Sequence, residues 1–230
     1  HILISGTTGS GKSSLLQTII TSLLWKNPPS YIEIILIDPK KSEFFIFEGF
    51  PHIKHPIAYS ITDIESTINR LIETMEERYI LFNKSKTKNI HEYNHHNSRL
   101  SYLVVCVDEY ADIIIQLKIL ETKFLRLLQM GRAAGIHLII STQRPSAEII
   151  TGTLKSNLPV RIACKVINAL NSKIIIDEEG AEKLLGNGDM IILLHGKYIR
   201  AHGFYVKKEF LYALKEMIVS NKEQKKNDME

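Results

Sequence analysis

The sequence predicts an α/β fold, a mainly parallel sheet flanked by helices that closes on a late β-hairpin. Three observations carry this expectation. Short runs rich in isoleucine, valine and leucine recur along the chain and alternate with stretches of 3.6-residue apolar periodicity. Strands alternating with helices imply parallel pairing with helices on both faces. A glycine-rich loop joins the first apolar run to the first periodic stretch, and two carboxylates close a later run.

The chain has 230 residues, of which 44% are hydrophobic, enough for one large domain with a sizeable core. A net charge of +4 permits an acidic partner such as DNA without demanding one. Cys106 and Cys164 each lie in an apolar run and read as reduced core residues, which points to a cytoplasmic setting. No apolar run approaches the roughly 18 residues that span a bilayer, so this piece predicts no membrane contact. Only five residues precede the glycine-rich loop, and the chain therefore reads as a fragment of a longer protein.

The elements follow in order. Ile2-Leu3-Ile4 is a strand, and a helix with Leu15, Leu16, Ile19, Ile20, Leu23 and Leu24 on one face runs to the breaker Asn27-Pro28-Pro29. Tyr31 to Ile37 is a buried strand, Phe44 to Phe47 a short strand or turn, and Ile57-Ala58-Tyr59 another short strand. An amphipathic helix spans about Asp63 to Phe82. The polar, basic segment Asn83 to Arg99 reads as solvated surface. The His91/His95 spacing there hints at a metal, but no carboxylate-and-cysteine frame supports one. Tyr102 to Val107 is a second buried strand, and Lys118 to Gln129 a helix. Ile136 to Ser141 and Val160 to Val166 are further strands, and Met190 to Leu194 pairs with Tyr198 to Val206 around Gly196. We expect one domain over 1–220 and a fraying polar tail over 221–230.

Gly6-Thr7-Thr8-Gly9-Ser10-Gly11-Lys12-Ser13 matches the phosphate-binding loop pattern in its strand–loop–helix setting. Glycines let backbone N–H groups turn inward, and the helix N-terminus adds free donors and its positive dipole end. Lys12 can reach the β- and γ-phosphates, the Ser13 hydroxyl can bind Mg²⁺, and Ser14 completes the candidate ATP-binding set. The plain alternative is a glycine turn with a chance Lys-Ser. Asp108 and Glu109 end an apolar run, which puts them at the carboxyl edge of the sheet where α/β folds bind ligands. Asp108 would hold Mg²⁺ and Glu109 would polarise the attacking water, against the plain reading of an acidic helix cap. Gln143, at the end of the next strand, could sense the γ-phosphate or be an ordinary polar strand end.

Longer blocks resemble the motor domain of the FtsK/SpoIIIE family of DNA translocases. They include Ile37-Asp38-Pro39-Lys40, Glu48-Gly49-Phe50-Pro51-His52, Met75-Glu76-Glu77-Arg78-Tyr79 and Val107-Asp108-Glu109-Tyr110-Ala111-Asp112. More specific are Gly131-Arg132-Ala133-Ala134-Gly135-Ile136-His137 and Ser141-Thr142-Gln143-Arg144-Pro145-Ser146, followed by Gly180 through Met190. The resemblance implies a RecA-like P-loop ATPase that forms a homo-hexameric ring around double-stranded DNA, in chromosome segregation at cell division or sporulation. It implies a parent protein anchored at the inner face of the cell membrane. Arg132 matches the arginine that reaches a neighbour's γ-phosphate, and its plain alternative is a cation at a helix C-terminus. Thr151, Gly152 and Lys155 are candidate DNA contacts, since a translocase grips phosphates without reading bases. The chain departs from the family at Asn171-Ser172-Lys173, where members often have Asp-Ser-Arg, and a lysine loses the bidentate fork. A conjugative DNA-transfer ATPase of the same family and a protein-secretion ATPase of the same superfamily are the alternatives.

Overall fold

The computed structural model describes residues 1–227 and contains one seven-stranded sheet in the order β2-β3-β4-β1-β5-β6-β7. The strands are β1 (Ile2–Ser5), β2 (Ile32–Ile37), β3 (Tyr102–Val107), β4 (Ile136–Thr142), β5 (Val160–Cys164), β6 (Asp189–Leu194) and β7 (Lys197–His202). The first five pair in parallel, and β6 and β7 are antiparallel, as the alternation of elements and the late hairpin predict. The hairpin turns through His195 and Gly196, both at positive φ, which matches the twist of the strands it joins.

Two apolar layers cover the sheet, one on each face. Alternate residues of one strand serve both: Ile34 and Leu36 of β2 pack into one layer, Ile35 and Ile37 into the other. The first layer holds α1 (Lys12–Lys26), α8 (Lys208–Asn227) and the fully buried rings of Phe44, Phe47 and Phe50. The second holds α2 (Ile61–Ser85), α4 (Tyr110–Gln116), α5 (Leu120–Met130) and α7 (Ala169–Ile176). Both cysteines are free and buried in the first layer, and burial pushes the Cys106 thiol up to about 12. Two short helices, α3 (Ile90–His96) and α6 (Gly152–Ser156), complete the set.

Local chemistry explains the boundaries. Helix α2 starts in a capping box in which Ser60 accepts from the Asp63 N–H and the Asp63 carboxylate accepts from the Ser60 N–H. Such a cap is typically worth about 1 kcal/mol. The expected strand at Ile57-Ala58-Tyr59 is only a single parallel bridge of Ala58 to Ile37. Pro56 lacks an N–H and the Ser60 cap follows at once, which leaves two ladder bonds: Asp38 N–H to Ala58 O and Ala58 N–H to Leu36 O. Phe45–Phe47 is a 3₁₀ turn, and the basic segment folds in part as α3, capped by the Asn89 side chain. His91 and His95 meet edge to face there, with no third carboxylate, thiol or imidazole among the described residues to complete a metal set. The proposed tail begins within the last turns of α8, and residues 228–230 lie outside the described residues.

Candidate nucleotide and catalytic site

Strand order decides what meets the glycine-rich loop. Strand β4 lies between β1 and β3, so the carboxyl ends of all three converge on Gly6–Ser13. The loop is held from below: the Thr7 N–H donates to Lys165 O at 2.9 Å, and the Gly188 N–H donates to Ser10 O at 2.9 Å. Gly11 has φ +95°, and a Cβ there would fall 2.3 Å from the Gly188 backbone nitrogen, so no other residue fits. Gly9 has φ +77° with open space where a side chain would be. The first-turn amides of α1, which no intrahelical carbonyl can satisfy, point the same way as the helix dipole, into the cleft.

That cleft has a volume of about 510 Å³ and is lined by Thr7, Thr8, Gly9 and Gly11–Leu15, with Glu43, Gln143, Asn187, Gly188 and Gly203–Tyr205 around them. Its donors and its lysine suit a polyphosphate, and the exposed Phe204 and Tyr205 give one wall an aromatic surface suited to a nucleobase. The oxygen donors Ser13 and Asp108 are hard ligands of the kind that Mg²⁺ prefers.

Lys12 and Asp108 form a buried ion pair at 2.6 Å. Ser141 sits between them, accepting from Lys12 at 3.0 Å and donating to the same Asp108 oxygen at 2.8 Å. An ammonium has three N–H donors, so one remains to Lys12 for a phosphate oxygen. Glu109 is fully buried, and its backbone is left-handed at φ 54°, a costly conformation for a residue with a side chain. Its Oε1 accepts from Thr142 Oγ1 at 2.8 Å and from the Gln143 N–H at 3.1 Å, while Oε2 accepts from Lys40 Nζ at 3.0 Å. Burial works to lower the Lys40 pKa, but the hydrogen bond and charge of Glu109, with Asp112 and Asp108, outweigh it and raise the value. The Gln143 amide oxygen accepts from Thr8 Oγ1 at 3.0 Å, which sets that side chain at the loop.

The structure thus brings the loop, Asp108, Glu109 and Gln143 together. Arg132 stands apart, exposed in the turn before β4 at the opposite edge of the sheet. Strand β4 runs 7 residues, or roughly 20 Å at about 3.3 Å each, so Arg132 does not reach its own chain's loop. Helix α2 grips the turn that carries it: Tyr79 Oη donates to Met130 O at 2.8 Å and Arg78 to Ala134 O at 2.6 Å. Thr151 caps α6 through Leu154 N–H, Gly152 has open space around it, and Lys155 pairs with Asp177 at 2.6 Å, an acid that Arg161 also holds. Lys173 pairs with Glu179 on the surface.

No sequence pattern marks Ser141 and Thr142 as partners of the two acids, or Lys40 as the cation on Glu109. Nor does one mark Glu43, whose carboxylate accepts from Ser13 Oγ at 2.7 Å. The available signal was slight: one acid at the head of the aromatic run Phe44-Phe45-Ile46-Phe47.

The sequence profile of the FtsK/SpoIIIE family matches residues 1–147, which contain the loop, both acids, Arg132 and Gln143. The chain belongs to the FtsK/SpoIIIE family. Among its relatives, the DNA translocase FtsK of Sporosarcina ureae is 44% identical over 208 residues, covering 85% of this chain and 27% of the relative. The DNA translocase SpoIIIE of Bacillus subtilis (strain 168) is 43% identical over 205 residues, 84% of this chain and 26% of the relative. This chain therefore spans about a quarter of the length of those family members. Of solved structures, the pCW3 conjugation coupling protein TcpA, in a monomer form with ATPγS, superposes with a TM-score of 0.83 at 28% identity, covering 96% of this chain and 64% of its own. The cytoplasmic domain of the type VII secretion ATPase EccC of Thermomonospora curvata superposes with a TM-score of 0.85 at 22% identity, over 93% of this chain and 27% of its own. The second likeness is one of fold. The family member described here thus has the mostly parallel, helix-flanked sheet of a P-loop ATPase.

Proposed function

We propose that residues 1–220 are the ATP-hydrolysing motor of a double-stranded DNA translocase, with 221–230 as a tail. The observation that carries this is the 44% identity to a DNA translocase across 85% of the chain, and the family profile over residues 1–147 spans the loop, both acids, Arg132 and Gln143. The geometry supports hydrolysis as well as binding, since Asp108 is held by the loop's Lys12 and Glu109 by Thr142, at the end of the neighbouring strand.

Each residue then has a role. Loop amides and the remaining Lys12 donor hold the β- and γ-phosphates. Ser13 and Asp108 hold Mg²⁺, which when bound neutralises the charge that develops on the phosphates. Glu109 takes the proton of the attacking water, and Gln143 reads the γ-phosphate through its amide. Arg132 works in trans on a neighbour's nucleotide, which its separation from its own loop favours, and a homo-hexameric ring around duplex DNA supplies that neighbour. Thr151, Gly152 and Lys155 contact DNA phosphates, Lys155 exchanging Asp177 for phosphate as it does so. In a cell, the domain lies in the cytoplasm as part of a longer protein anchored at the inner face of the membrane. Among the described residues no helix is long and apolar enough to cross a membrane. Chromosome segregation at division or sporulation is the assignment, and the likeness to TcpA keeps conjugative transfer as the second reading.

The ATPase rate of the full-length protein, with and without duplex DNA across a salt series, tests this. Duplex should stimulate turnover, and the stimulation should fall steeply with salt because phosphate contacts release counterions. Turnover indifferent to duplex but raised by a polypeptide would move the chain to the secretion class.

A further inference from the structure

The segment from Asp38 to Phe44 joins β2 to the aromatic anchor of the first layer, and the roles above do not use Glu43. The backbone around Glu43 is held firmly. Asp38 is fully buried, and its Oδ2 accepts the N–H groups of Glu43 at 2.9 Å and Phe44 at 3.2 Å. The Phe44 ring is itself fully buried. The half-buried Glu43 carboxylate is therefore aimed by its backbone, and it lines the same cleft as Lys12, Ser13 and Gln143.

Charge distinguishes Glu43 from the other two acids. Asp108 is neutralised by Lys12, and Glu109 by Lys40. Among the described residues, Glu43 has no cation within ion-pair distance, and its contact is the neutral Ser13 hydroxyl. An uncompensated carboxylate beside a polyphosphate repels it. A divalent cation between the two reverses the sign, and Ser13 is the hydroxyl assigned to that cation. The geometry points to Glu43 as a further acidic residue of the metal site, one that makes nucleotide affinity depend on Mg²⁺. This rests on reading Gly6–Ser14 as the nucleotide site.

Binding of a fluorescent, non-hydrolysable ATP analogue to the full-length protein tests it. The readout is the ratio of Kd in EDTA to Kd in Mg²⁺ for the parent, Glu43→Gln, Glu43→Ala and Lys12→Ala. Glutamine keeps an acceptor for Ser13 and removes only the charge. In Glu43→Gln the ratio should fall at least about fivefold, the lower end of ordinary coupling between sites, with tighter binding than the parent in EDTA. A ratio unchanged in Glu43→Gln, with affinity lowered only in Glu43→Ala, overturns the proposal and leaves Glu43 as a hydrogen-bond support. Lys12→Ala tests the underlying reading separately: parent-like binding there removes the nucleotide site itself, and with it the proposal.

Discussion

Glu109→Gln should stop ATP turnover while leaving nucleotide binding intact. Glutamine keeps the acceptor that Thr142 and the Gln143 N–H use, so the local frame survives. It loses the basic oxygen that would take the proton of the attacking water, a contribution typically of about 10²–10⁴ in rate. It also sets an amide N–H₂ against Lys40 Nζ, which releases the lysine from Oε2. Single-turnover hydrolysis, paired with equilibrium binding of ATP, separates the two effects. A fall in kcat of at least about 10²-fold with an unchanged Kd is expected. Parent-like turnover would remove Glu109 from the chemistry.

Arg132→Ala should lower the rate of the assembled enzyme by about 10³-fold, the lower end for an arginine that stabilises phosphoryl-transfer charge. The side chain is exposed, and the turn beneath it is held by Tyr79 and Arg78 through backbone carbonyls, so truncation spares the fold. What marks a trans role is complementation. Mixing Arg132→Ala subunits with Lys12→Ala subunits creates interfaces where an intact loop meets an intact arginine. Turnover should reappear in the mixture although each variant alone is inactive. A mixture as inactive as its components would show that Arg132 acts within its own chain or only in assembly.

Much of this site was legible because its chemistry is written in contiguous residues. Loop, lysine and serine occupy one octapeptide, and the acids end an apolar run whose burial follows from its composition. Two helices, α4 and α7, are hidden in the sequence for a shared cause. Helix α4 contains Ile113-Ile114-Ile115 and α7 contains Ile174-Ile175-Ile176, and three β-branched residues in a row show no 3.6-residue stripe. Local caps and packing settle them: Asn168 caps α7, α4 starts at the strained Glu109, and Ile113, Ile114, Ile175 and Ile176 are buried in the second layer. Helix α8 docks through Leu211 and Leu214, a stripe too short to mark it in the sequence. Glu43 was illegible for a different reason. It meets Ser13 across 30 positions, through a loop whose path is set by the burial of Asp38 and Phe44. No local pattern encodes that meeting. Nor does any encode the grip of α2 on the turn that presents Arg132, although Arg78 and Tyr79 lie in a block shared with the family.

In the proposed function, hydrolysis at this site moves the full-length protein along duplex DNA. Displacement of a triplex-forming strand from a linear duplex by the full-length protein measures that motion directly. Displacement is expected with ATP, and none with a non-hydrolysable analogue or with Glu109→Gln. Duplex-stimulated hydrolysis that leaves the third strand in place would contradict it.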